Sequence, residues 1–137
     1  MASLRSCLHY RGMKRSVTNS LMFICTSLLC SVTPALSDDA VIEGVEITGN
    51  GSNWTFSVTL RHGDTGWDDY ADGWRVVAED GRELGMRTLF HPHVNEQPFT
   101  RSLSGVAIPQ GTPRVFVEAR TNADGWGAMR YPVDLPN

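Results

Sequence analysis

Cysteine is scarce in this 137-residue chain and is confined to its front end, at Cys7, Cys25 and Cys30. Everything from residue 31 onward is therefore without disulfides, thiol nucleophiles or thiolate metal ligands. Lysine is scarcer still, with Lys14 the single example. From Asp38 to Asn137 the charge is carried by eight arginines against fifteen carboxylates, a formal −7. That balance argues against nucleic acid or an anionic membrane surface as a partner, because both need positive charge to displace counterions. Also missing are the Gly-x-Ser-x-Gly elbow and the phosphate-binding glycine loop. No window keeps a helical apolar period. The chain is expected not to be an enzyme.

What is present begins with a leader. Arg5, Arg11, Lys14 and Arg15 precede the apolar run LMFICTSLLC, and Ala35-Leu36-Ser37 supplies small residues. This is the layout of a secretory signal peptide over residues 1–37, with cleavage expected after Ser37. A start at Met13 gives a leader of more ordinary length. The apolar run is short of the roughly 20 residues a membrane span needs, so no membrane insertion is expected after processing. Leu29 stands before Cys30 where a lipidation signal wants a small residue. Both points direct the chain to the periplasm or the exterior as a single domain, residues 38–137.

Within that domain, Trp54-Thr-Phe56-Ser-Val58-Thr-Leu60 alternates apolar and polar residues over seven positions, the period of a half-buried strand. Similar signals run over 41–48, 74–78, 84–90, 99–108, 114–121 and 129–135. Pro132 marks the last as an edge strand or a bulge. Trp54, Phe56, Val58, Leu60, Trp74, Val76, Leu103, Val115, Val117, Tyr131 and Val133 are the expected core. Seven short strands with turn signals between them predict an antiparallel β-sandwich. With Trp54 on the second strand, the pattern resembles the fibronectin type III and immunoglobulin-like sandwiches; the cysteine pair of true immunoglobulin domains is absent.

The loops fall into two sets. GNGSN, EDGRE and PQGTP are short and turn-like, whereas HGDTGWDDYADG, HPHVNEQP and NADGWG are longer and chemically rich. Antiparallel strands send alternate loops to the same end, so the rich three share one pole. Loops on a rigid scaffold are where binding residues concentrate. Trp67, Tyr70 and Trp126, beside Asp68, Asp69 and Asp124, suit stacking on sugar rings or anchoring a protein partner. The competing expectation is that the rings merely cap the open end of the sandwich.

A second reading rests on His91-Pro92-His93. In an extended segment residues i and i+2 face one way, which would aim both imidazoles at one point. His62, with Glu96, Asp64 or Asp68 as a carboxylate, could complete the three or four ligands that copper or zinc takes, nitrogen at roughly 2.0–2.1 Å. The alternative is that the histidines serve only a structured turn. Asp64, Asp68, Asp69 and Asp72 lack the spacing of a calcium loop. The sequence thus predicts an exported, non-catalytic module that binds a ligand or an extracytoplasmic protein at one pole, with one Cu or Zn ion as the alternative.

Overall fold

The computed structural model describes residues 38–136; the leader and its cleavage site lie outside them. Eight strands follow one another: β1 (Val41–Asn50), β2 (Asn53–Arg61), β3 (Ala71–Val77), β4 (Glu83–Thr88), β5 (Phe99–Ala107), β6 (Arg114–Thr121), β7 (Gly125–Trp126) and β8 (Tyr131–Asp134). They form two antiparallel sheets, β1-β2-β5 and β4-β3-β6, with β7 and then β8 paired along the outer edge of β6. Among the described residues there is no helix.

The alternation in β2 builds the centre of the core. Trp54, Phe56, Val58 and Leu60 are all buried, while Thr55, Ser57 and Thr59 face outward. The opposing sheet answers with Trp74 and Val76 from β3, Val115 and Val117 from β6, and Val133 from β8. Burying side chains of this size stabilises by roughly 1.5–3 kcal/mol each before chain entropy is counted. Leu103 and Tyr131 pack at the edge of the cluster, half-buried. Where β4 passes β5, a Cβ on Gly85 would lie 3.1–3.2 Å from Leu103 and Val106, so glycine there lets the layers approach.

Two departures from the sequence pattern bear on function. The expected final strand, 129–135, is shorter, and a two-residue strand precedes it; Met129 is exposed in the connection. Pro132 sits on β8 at the sheet edge, opposite Phe116, where its missing N–H is harmless. The register of β1 on β2 starts at Val41 opposite Arg61, so the chain comes in at the end where β2 runs out.

Candidate functional site

The site grows out of the end of β2. Continuing its period of two beyond Leu60 turns His62 and then Asp64 inward, and both side chains are fully buried. A buried carboxylate needs hydrogen-bond donors to replace its lost water. Asp64 has three. Its Oδ1 accepts from His62 Nδ1 at 2.7 Å and from the Ala71 amide at 3.0 Å, and its Oδ2 accepts from the His93 amide at 2.6 Å. One side chain thereby ties the β2–β3 loop to the start of β3 and to the β4–β5 loop. Gln97 adds a second tie, accepting from the His62 amide and donating to the His93 carbonyl. The third rich loop is fixed by Asn122, whose side chain accepts from the Tyr70 amide at 2.8 Å and donates to the Trp67 carbonyl at 2.9 Å.

The other ring nitrogen of His62, Nε2, faces Asp69 Oδ1 at 3.7 Å, and neither atom has a hydrogen-bond partner. The imidazole therefore lies between two carboxylates. An Asp–His pair can act as an oriented general base, but no hydroxyl is bonded to Nε2 among the described residues.

His93 is buried to 3% exposure and stacks on Phe99, ring centroids 3.8 Å apart at 12°. Its pKa is lowered, first by burial, then by the positive charge of Arg101 and by His91, against the smaller pull of Glu96 and Asp64. Both its ring nitrogens are buried without partners. Glu96 is engaged by Arg101 at 3.0 Å, and that hydrogen bond holds its carboxyl below the ordinary range.

Above this floor opens a pocket of about 560 Å³ whose walls include Gly66, Trp67, His91, His93, Asn95 and Glu96. Trp67 is 67% exposed. Its backbone is held by the Gly66–Asp69 bridge, in which the Thr65 amide donates to the Asp69 carbonyl and the Asp69 amide to the Gly66 carbonyl. Tyr70 meets it edge-on, 5.8 Å between centroids. Phe90 and Val94 are exposed on the neighbouring loop.

The structure thus brings Trp67, Asp68, Asp69 and Tyr70 onto one loop beside His62, His91, His93 and Glu96. It does not bring Trp126 there. That residue is in β7, its ring over the Arg75 guanidinium at 3.9 Å on the outer face of the larger sheet. Asp124 is exposed on the turn before it. The two imidazoles of His91-Pro92-His93 lie together, ring centroids 4.6 Å apart, with His91 exposed and His93 buried. Glu96 is turned to Arg101, and the expected quartet His62, His91, His93 and Glu96 is not assembled around a point. No group of three His, Cys, Asp or Glu among the described residues is placed to hold a metal ion. Gln97, Asn122 and Phe99 were not among the expected site residues, and Asp64 was expected as a metal carboxylate or a solvated loop acid, not as a buried tie between loops. The inward series 60, 62, 64 was the signal for Asp64; the other three have none.

No helix among the described residues is long and apolar enough to cross a membrane. No family model matches the chain, and no solved structure matches it. A protein of Halomicrobium mukohataei named "Putative lipoprotein" is 44% identical over 79 residues, which is 58% of this chain and 38% of that protein. The chain is thus similar, over a little more than half its length, to part of a longer protein that carries a lipoprotein's name.

Proposed function

We propose that this chain is an exported, non-catalytic binding module, and that the pole built from the β2–β3 and β4–β5 loops is its binding surface. The observation that carries this is Trp67: a large indole left two-thirds exposed on a backbone fixed at both sides. Leaving such a side chain in water forgoes its burial energy, and rigid exposed aromatics are favoured anchors in binding sites. The leader pattern of residues 1–37 and the name of the relative both support an extracytoplasmic location. The sheet order supports the fibronectin-like form of the sandwich. β4 pairs with β3 here, whereas in constant-type immunoglobulin domains the fourth strand lies with the first sheet.

The test is retention. The full chain, immobilised, is exposed to envelope and extracellular material of its source cells, in parallel with Trp67→Ala and Trp126→Ala variants. Retention that is lost with Trp67→Ala and kept with Trp126→Ala supports the pole. Retention indifferent to Trp67, or none at all, overturns it.

A further inference from the structure

We infer that the pocket beside Trp67 takes a neutral sugar ring, stacked on the indole and hydrogen-bonded by Asn95, Glu96 and the two imidazoles. This rests on the binding pole proposed above and names its ligand class.

The charges of the pocket disfavour the other small-molecule classes in turn. An anionic ligand finds no arginine or lysine in the walls, and nearby Arg101 is bonded to Glu96. A cationic ligand finds Glu96, the carboxylate of the wall, already paired with Arg101, and is left with the indole face alone. Asp64 lies behind His93 with its oxygens already committed to three donors. A wholly apolar ligand would strand an amide, a carboxylate and two imidazoles in a dry contact, each at a desolvation cost.

A polyhydroxylated ring fits what remains. Its C–H face suits the exposed indole, and hydroxyls both donate and accept. That dual capacity matches a neutral imidazole, which offers one N–H and one lone pair. His93 has neither nitrogen partnered, and buried polar atoms without partners are uncommon enough to call for one. His91, exposed, lies beside His93 at 4.6 Å between rings, and both line the pocket. The volume, about 560 Å³, is within the roughly 300–1,000 Å³ of small-molecule sites.

The experiment titrates the full chain with methyl glycosides, with free neutral oligosaccharides and with immobilised neutral polysaccharide, followed by calorimetry and tryptophan fluorescence. Tetramethylammonium and inorganic phosphate serve as charged probes. We expect saturable binding of at least one neutral sugar. Its affinity should fall about tenfold or more in Trp67→Ala, and stay unchanged in Trp126→Phe. Preference for the polymer or oligosaccharide over the glycoside would identify a chain segment as the occupant, and equal affinity a single ring. Tighter binding of either charged probe, or no sugar binding at tens of millimolar, overturns the inference. If envelope material is still retained through Trp67 in that case, the pole stands and only the sugar falls. Sugar binding untouched by Trp67→Ala overturns the placement in this pocket.

Discussion

At one end of the sandwich three loops are tied together by the side chains of Asp64, Gln97 and Asn122. At the other end the turns are closed by backbone. The Ile108 amide donates to the Ser52 carbonyl at 3.0 Å, and the Leu135 amide to the Pro113 carbonyl at 2.9 Å. Gly49, Gly51 and Gly111 there all have positive φ. Both ends hold the same two sheets, yet they depend on different physics. The far end depends chiefly on chain geometry, with Asp134, whose carboxyl Arg114 holds below its ordinary range, exposed on its rim. The loop end depends on the buried Asp64 carboxylate and on buried His93, whose pKa is lowered by burial, and should answer to protonation.

Asp64→Ala should have the largest effect. It strands an imidazole and two amides in the interior, and removing one member of such a buried charged set costs about 3–5 kcal/mol. Against a typical domain margin of about 5–15 kcal/mol, the urea midpoint should fall steeply. A loss below about 1 kcal/mol would mean that the loops are held by something else. Gly49→Ala, at the other end, should cost about 2–3 kcal/mol. A Cβ there falls against the Asn53 carbonyl oxygen, and φ is +146°. The comparison predicts that this loss is the same at every pH, and a pH-dependent loss would break it.

Smaller is the effect of acid on the parent protein. Below about pH 6.5 an unfolded histidine binds a proton, while His93 in the folded protein resists doing so because its pKa is lowered. The unfolded state then binds more protons, so stability should fall as pH drops below that value. His93→Phe keeps the ring on Phe99 and removes the titration. Denaturant midpoints between about pH 5 and 8 should show a shallower slope for the variant; equal slopes would deny His93 the role. Smallest of all is Arg114→Ala, which removes the exposed Arg114–Asp134 pair at the backbone-closed end. Thermal melting should not register it, since exposed pairs contribute little.

Much of this division was legible in the chain. The alternation of Trp54 to Leu60 is a local signal, and it placed the core; the contrast between GNGSN and HGDTGWDDYADG told the two ends apart. What escaped was set by contacts distant in sequence. Trp126 was expected at the pole, but it rests on Arg75, about fifty residues earlier. The last strand was expected whole, but after Gly127, whose amide still donates to the Ala119 carbonyl of β6 at 3.0 Å, the Ala128 amide turns to the Asp39 carboxylate at 3.2 Å, and pairing on β6 resumes only at Tyr131. The rings of His91 and His93 do lie together, 4.6 Å apart, but the exposure of one and the burial of the other follow from Phe99, on which His93 stacks.

The pairing of Val41 with Arg61 has a practical corollary. Asp38 leaves the domain at the end that carries the loops, beside Gly63, with Asp39 against Gly127, whereas Pro136 lies among Gly49, Gly51 and Gln110 at the far end. An affinity handle or surface linkage fused ahead of residue 38 would therefore share an end with the loops. One fused after Pro136 would hang from the opposite end and present the loops outward, so a sensor or an affinity matrix made from this domain should be attached there.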